Sequence, residues 1–264
     1  MQGIVLDSVS KIFGRPRILG RLARTLAKTE TYALRDVSFA MPAGKVLVLL
    51  GPNGSGKTTT LKLLSTIFFP DNGSVLVNGW DTRQDAGQVR KQISIAISSE
   101  RSFYPRLTAR ENLEFFASLD DVPRRTRKQR IEAALQRTDL AELRDVQIMK
   151  FSSGMHQRLA LARALMKQPS AVLLDEPTRS LDPGATARYW ELIRDLPASG
   201  TSVVLASHNF EEAIAVGDSV AILQRGELIF YESTDGLNAE RLKSLYADLT
   251  EVSRFRDELV EAAS

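Results

Sequence analysis

Cysteine is absent from the 264 residues. That excludes a disulfide framework, a Cys-ligated zinc site and a thiol nucleophile, and it fits a reducing cytosol. Histidine occurs only twice, as His156 and His208. No run approaches the roughly 18–20 apolar residues that span a bilayer, so any membrane role is expected to pass through a partner. The start, MQGIVLDSVSK, lacks the basic head and long apolar core of a secretory signal. Net charge is only +3, so no strong global field argues for nucleic acid. Repeats and low-complexity tracts are missing as well. What remains is an ordinary globular composition, 43% hydrophobic and 25% charged, enough for one large domain or a domain with a subdomain.

Short apolar runs alternate with helical patterns. VLVLL (46–50), AVLLD (171–175) and SVVLAS (202–207) are rich in Val and Leu without period-2 alternation. Strands buried on both faces read this way, which predicts a parallel sheet covered by helices. IVLDSVSKIF, YALRDVSFAM and GSVLVNGWD are partly alternating and bounded by Gly, Pro and Asp, so they predict an antiparallel group. Residues 108–140 are mostly helical, with Thr108 and Glu111 spaced as a capping box and Pro123 opening a second helix. The tail 237–264 reads as one or two short amphipathic helices. The basic segment 14–30 reads as a solvated loop or as a docking contact. The run PRRTRKQR (123–130) carries no interleaved aromatics and reads as a solvated helix face rather than a nucleic-acid surface.

The stretch GPNGSGKTTT directly follows VLVLL and fits G-x-x-x-x-G-K-[ST]. Its glycines let the backbone curl so that successive N–H groups point inward at phosphate oxygens. The following helix, starting near Lys57, adds its positive N-terminus. Gly51, Pro52, Asn53, Gly54, Ser55, Gly56, Lys57, Thr58 and Thr59 are therefore expected to cradle a nucleoside triphosphate. Lys57 is expected to reach the β- and γ-phosphates, and the Thr58 hydroxyl to ligate Mg2+. AVLLDE supplies a second half: Asp175 ends a buried strand, where its carboxylate can orient the magnesium shell. Glu176 lies one residue on, placed to polarise or deprotonate a water attacking the γ-phosphate.

A third feature narrows the class. FSSGMHQRLALARAL (151–165) places a Ser-x-Gly turn at the start of a helix, a second anion-binding arrangement of hydroxyl, backbone N–H groups and dipole. With it, GPNGSGKTT, FSSGMHQR, AVLLDEP, SLD and SHNFEEA stand in family order, and from about residue 3 to 235 the chain resembles the ATP-binding cassette (ABC) ATPases, the nucleotide-binding subunits of ABC transporters. The resemblance implies an α/β P-loop NTPase with a mainly parallel central sheet, an N-terminal antiparallel β subdomain and an inserted helical subdomain. The expected ATPase domain is 3–236, with the helical lobe at about 100–168 and 237–264 as a short helical tail.

The resemblance also implies ATP and Mg2+ as ligands and a head-to-tail, two-fold dimer with a second copy of the chain. Ser152, Ser153 and Gly154 would then contact the nucleotide of the other subunit. His208 matches the switch histidine that meets the γ-phosphate, and His156 reads as an exposed residue of the signature helix. Ser180–Asp182 match the loop that runs between subunits. An aromatic upstream of the P-loop stacks on adenine in the family; Phe13, placed after the first strand, and Tyr32 are the two candidates. Two departures stand out. Phe151, Ser153 and Met155 replace three of the five usual signature residues, in a form similar to that of ABC-2 type exporters. The family glutamine before the helical lobe falls at about Ser99, where Ser99 or Glu100 would have to serve magnesium instead. The expected function is an ATP-hydrolysing subunit at the cytoplasmic face of the membrane, energising an exporter of drug, lipid or polysaccharide type cargo through an integral membrane permease. The alternative is a soluble ABC ATPase acting on ribosomes or DNA. Translation-type members usually carry two cassettes and DNA-repair members a long coiled coil, whereas this chain shows one uninterrupted cassette. A P-loop kinase or GTPase would leave the signature helix unexplained.

Overall fold

A computed structural model of the chain describes residues 3–14, 31–96 and 103–262, with side chains to residue 250. The basic segment beyond Gly14, and with it the docking question, lies outside the described residues; so do Ser99 and Glu100.

Three apolar runs make the centre: β3 (Val46–Leu50), β7 (Ala171–Asp175) and β8 (Ser202–Ser207). They join β6 (Ile93–Ala96), β9 (Ser219–Gln224) and β10 (Glu227–Ser233) in a six-stranded sheet of order β10-β9-β3-β8-β7-β6. All neighbours are parallel except β10, which returns antiparallel to β9. The two-residue turn between β9 and β10, Arg225-Gly226, has positive φ at both positions (49° and 85°), as a primed hairpin turn requires.

The missing alternation now has a physical cause: the central strands feed two cores. Val46, Val48 and Leu50 point into one apolar cluster, Leu47 and Leu49 into the other. Val172 and Leu174 divide from Ala171 and Leu173 in the same way. Successive side chains leave opposite faces of a strand, and here both faces are covered. Burying each such Val or Leu is worth about 1.5–3 kcal/mol.

One cover is a four-stranded antiparallel sheet of order β2-β1-β4-β5, made from β1 (Gly3–Phe13), β2 (Thr31–Pro42), β4 (Asn72–Val77) and β5 (Trp80–Asp81). Its Ile4, Leu6, Val37 and Val75 enclose a core shared with Leu61 and Leu64 of α1 (Lys57–Leu64) and with Val89 of α2 (Ala86–Gln92). The other cover is helical. Between β6 and β7 the chain leaves the sheet to form α3 (Ala109–Leu119), α4 (Arg124–Arg137) and α5 (Ser153–Leu165), then returns. Thr108 and Glu111 make the expected reciprocal capping box, with Glu111 N–H donating to Thr108 Oγ1 at 3.2 Å. Pro123 stands one position earlier than a first helical residue, as the N-cap of α4. The Arg127 guanidinium is turned back onto Ser118 Oγ at 2.8 Å and the Val122 carbonyl at 3.0 Å.

After β8 come α7 (Phe210–Val216), then β9 and β10; α6 (Pro183–Asp195) lies between β7 and β8. The tail differs from the one or two short helices expected. It is a single helix, α8 (Ala239–Ala262), anchored by fully buried Leu242 and by Tyr246, whose ring meets Phe210 at 5.3 Å. Packing against α7 buries part of the apolar face expected of an amphipathic tail.

Candidate active site

Parallel register decides where the polar ends of the central strands fall. Leu50 of β3 pairs with Ser207 of β8, and Asp175 of β7 pairs with Ala206. The loop after Leu50, the pair Asp175–Glu176 and the dipeptide Ser207–His208 therefore emerge together at the carboxyl edge, where ligands of open parallel sheets bind.

The P-loop turns there under tight steric limits. Gly51 has φ +150°, and a Cβ on it would sit 2.2 Å from the Leu223 carbonyl oxygen. Gly56, at φ +111°, would drive a Cβ to 2.6 Å from Leu34 Cδ2 and 2.7 Å from the Ala33 oxygen. The Gly226 N–H, in the β9–β10 turn, donates to the Ser55 carbonyl at 3.0 Å. So the antiparallel sheet and the hairpin clamp the loop from outside, and glycine is what lets it pass. Pro52, Asn53 and Gly54 are exposed, while Ser55, Gly56 and Lys57 are buried. Gly56 is the left-handed N-cap of α1, and no side chain caps that helix. Its leading N–H groups are left for an anion. The Ser55 hydroxyl, also buried, has no hydrogen-bond partner among the described residues.

Lys57 is 6% exposed. Its ammonium donates to the Gly51 carbonyl at 2.6 Å and the Pro52 carbonyl at 3.0 Å, and stands 4.0 Å from Glu176 Oε1. Burial pulls its pKa below the usual lysine value, opposed by the charges of Glu176 and Asp175. Thr58 Oγ1 donates to Asp175 Oδ2 at 3.0 Å. Thr59, next along α1, is half-buried. Glu176 sits at φ 49°, in the left-handed region that costs a non-glycine residue on the order of 1–3 kcal/mol. Its N–H donates to the Ala206 carbonyl at 2.9 Å, and its Oε2 lies 2.5 Å from His208 Nδ1. One chain thus assembles a cation, a hydroxyl–carboxylate pair and a carboxylate–imidazole pair around the open end of α1.

The donor set suits a magnesium nucleotide. Among the described residues no group of three His, Cys, Asp or Glu side chains could hold a metal alone. One hydroxyl beside one carboxylate is what an ion takes when waters and phosphates supply its other ligands.

The signature turn is built differently. Ser152 caps α5, accepting from Met155 N–H at 3.3 Å, while Ser152 N–H donates to Met155 Sδ at 3.3 Å. The side chain that departs most from the usual signature therefore closes a sulfur version of the capping box. Ser152 and Ser153 are exposed. Gly154 faces α6, where a Cβ would meet Ala185 Cβ at 3.1 Å. Asp182, at the end of the SLD triplet, caps α6 by accepting from Ala185 N–H at 2.9 Å. His156 is half-buried rather than exposed, because its Nδ1 lies 2.9 Å from the Ser152 carbonyl oxygen and its ring meets Phe151 at 5.9 Å.

Both aromatic candidates are available to a ligand. Phe13 is 41% exposed and Tyr32 39%. They end neighbouring strands, Ile12 pairing with Tyr32. Phe13 packs edge-on against Phe68 at 5.2 Å, and the Arg35 guanidinium lies over Tyr32 at 4.7 Å. Sequence reasoning passed over one residue at this edge, Glu212 in SHNFEEA. It is 1% exposed and accepts from Thr178, Trp190 and Ser207. Its sole sequence signal is a glutamate one turn into a helix that follows a strand-end histidine, and Glu211 beside it looks the same.

Among the described residues no helix is long and apolar enough to cross a membrane. The model of the ABC transporter family matches residues 34–179. Over 219 residues the chain is 36% identical to the ABC transporter ATP-binding protein NatA of Bacillus subtilis, covering 83% of this chain and 89% of NatA. It is 34% identical over 229 residues to the daunorubicin resistance ATP-binding protein DrrA2 of Streptomyces coeruleorubidus, covering 85% of this chain and 71% of DrrA2. Among solved structures it resembles the dimeric, post-hydrolysis ATP-binding cassette MJ0796 bound to ADP and Pi. There the TM-score is 0.72 at 26% identity, covering 89% of this chain and 100% of that one.

Proposed function

From the premise that the chain belongs to the ABC transporter family of ATPases, we propose that it drives an ABC exporter through a separate membrane subunit, hydrolysing ATP as a dimer of two copies. Residues 3–236 form the cassette, with a helical lobe at about 100–168 and an appended tail at 237–264. The observation that carries the chemistry is the chain of contacts from Lys57 through Glu176 to His208, at 4.0 and 2.5 Å.

ATP enters with its phosphates at the open end of α1. Lys57 meets the β- and γ-phosphate charge, and residues 51–59, Pro52 apart, offer backbone N–H groups. Thr58 and Asp175 would hold Mg2+, which would neutralise phosphate charge there. Glu176 takes the proton of a water as its oxygen bonds to the γ-phosphorus and the bond to the β-phosphate oxygen breaks. His208 orients that carboxylate and faces the γ-phosphate. Ser152 and Ser153, which are exposed, and the half-buried Gly154 serve the second copy's nucleotide, adding donors from the far side. Phe13 or Tyr32 stacks on adenine. Ser99 or Glu100, outside the described residues, would complete the magnesium shell.

The export reading draws on relatives whose names carry drug resistance. Cargo of drug, lipid or polysaccharide type follows, with the chain held at the cytoplasmic face of the membrane by its permease. Replacing Glu176→Gln should lower kcat at least about 100-fold and leave a long-lived ATP-bound dimer on size-exclusion chromatography. Wild-type turnover in that variant would remove Glu176 as the base. Purification from detergent extracts tests the export half: a multispan membrane protein is expected, and rRNA or DNA in its place would favour the ribosome or DNA reading.

A further inference from the structure

Glu212 is a buried carboxylate with no role in the reading above. Oε1 accepts from Thr178 Oγ1 at 2.7 Å and from Trp190 Nε1 at 2.9 Å; Oε2 accepts from Ser207 Oγ at 2.5 Å. Burying a carboxylate is costly unless hydrogen bonds replace its water. Here three donors from three different elements do so, and their places in the chain are informative. Ser207 immediately precedes His208. Thr178 lies two residues beyond Glu176. Trp190 is on α6, whose N-cap Asp182 closes the SLD triplet.

The network then doubles back. The Ser207 hydroxyl, donating to Glu212, accepts from Asn209 N–H at 3.0 Å. Asn209 Oδ1 accepts in turn from the N–H groups of Glu211 at 2.9 Å and Glu212 at 3.2 Å. The residues on both sides of His208 are thus tied to one carboxylate. On the other flank, Arg179 N–H donates to the Glu176 carbonyl at 3.3 Å and Leu181 N–H to the Thr178 carbonyl at 3.1 Å. Thr178 is therefore part of the same short turned segment as Glu176, whose left-handed backbone persists only where its surroundings over-determine it.

We propose that Glu212 is a positioning residue: through Ser207, Asn209 and Thr178 it holds His208 and Glu176 at hydrogen-bond distance. It touches neither substrate nor metal and acts only through those two side chains. The proposal rests on the catalytic reading of Glu176 and His208. The N-terminus of α7 is already capped by Asn209 Oδ1, which accepts from the Glu211 and Glu212 backbone N–H groups, so the Glu212 carboxylate is not needed for that. Glu212 instead spends its acceptors on Thr178, Trp190 and Ser207, outside its own helix. An amide at this position would turn two donor hydrogens toward groups that are themselves donors.

The test is a double-mutant cycle on the full chain, scored per folded molecule. Glu212→Gln should lower kcat at least about tenfold while KM for ATP stays within about twofold, the pattern of a loss made in the transition state. In a His208→Ala background the same substitution should cost less than about twofold more. Thr178→Val and Ser207→Ala each remove one donor and should reproduce the effect in part, whereas Thr178→Ser keeps the hydroxyl and should restore turnover. These milder variants carry the test if Glu212→Gln fails to fold. The proposal is overturned if kcat per folded molecule is unchanged in Glu212→Gln, or if its effect multiplies in full with that of His208→Ala. Wild-type turnover in His208→Ala alone would instead overturn the catalytic reading, and the proposal with it.

Discussion

Two helix N-termini in this molecule face anion chemistry, and they are finished in opposite ways. α1 begins at a left-handed glycine with no side-chain cap, beside a buried lysine. α5 begins at an exposed serine whose hydroxyl is already engaged by Met155 N–H. The first is an uncapped helix end beside a buried cation, which Glu176 and two loop carbonyls meet within the chain. The second is complete without any ligand, and its hydroxyl still offers a donor to solvent. An N-terminus that binds within its own chain keeps its groups open at a cost. One that waits for a second molecule is capped meanwhile.

Predictions follow that contrast from the larger effects downward. Lys57→Met should abolish detectable turnover, with at least about a thousandfold loss in kcat/KM, and should also weaken nucleotide binding to the single chain. Ser152→Ala should separate the two ends. ATP binding to the single chain, measured by titration, should stay within about twofold, while kcat at saturating protein falls by about 10–100-fold for one lost transition-state donor. Equal loss in both assays would place Ser152 in the same pocket as Lys57 and erase the distinction.

Stability supplies the finer tests. Gly56→Ala should destabilise the chain by more than about 1 kcal/mol, read from denaturant midpoints, because a Cβ at φ +111° meets Leu34 and the Ala33 carbonyl. The α3 N-terminus is the control, a fully capped end with no ligand in prospect. Thr108→Ala should cost about 1 kcal/mol and leave ATP turnover unchanged. Hydrogen bonds from the Thr108 backbone N–H, then from its hydroxyl, hold the Glu111 carboxyl below its ordinary 4.5. A depressed carboxyl stabilises the fold above the ordinary value and loses that contribution as pH falls through the depressed one. The gap between wild type and Thr108→Ala should therefore narrow on acidification below pH 4.5.

The same contrast explains what the sequence disclosed. A continuous run such as VLVLL can satisfy only a strand with apolar cover on both faces, so the parallel core was legible. Parallel register brings the ends of β3, β7 and β8 together; Thr58, Asp175 and Glu176 were legible from their motifs and His208 only from the resemblance. Residues whose meaning depends on a third dimension were not. Glu211 and Glu212 are adjacent and chemically alike, yet Glu212 alone is buried; only the packing of α6 and β8 separates them. Met155 read only as one of three replaced signature residues, and a thioether's capacity to accept an N–H is weak enough to escape pattern rules. The first half of the tail helix docks onto α7 through Leu242 and Tyr246, a tertiary gain that local propensity does not register.

The run from β6 to β7 joins parallel neighbours, Ile93 beside Ala171 through Ala96 beside Leu174. Roughly a dozen residues suffice for such a crossover; this chain uses residues 97–170. The surplus is topologically free. Its inner residues cover one face of the sheet, but its outer face can change while the strand order beneath stays fixed, so adaptation to a new docking partner can be confined to side chains the core does not use.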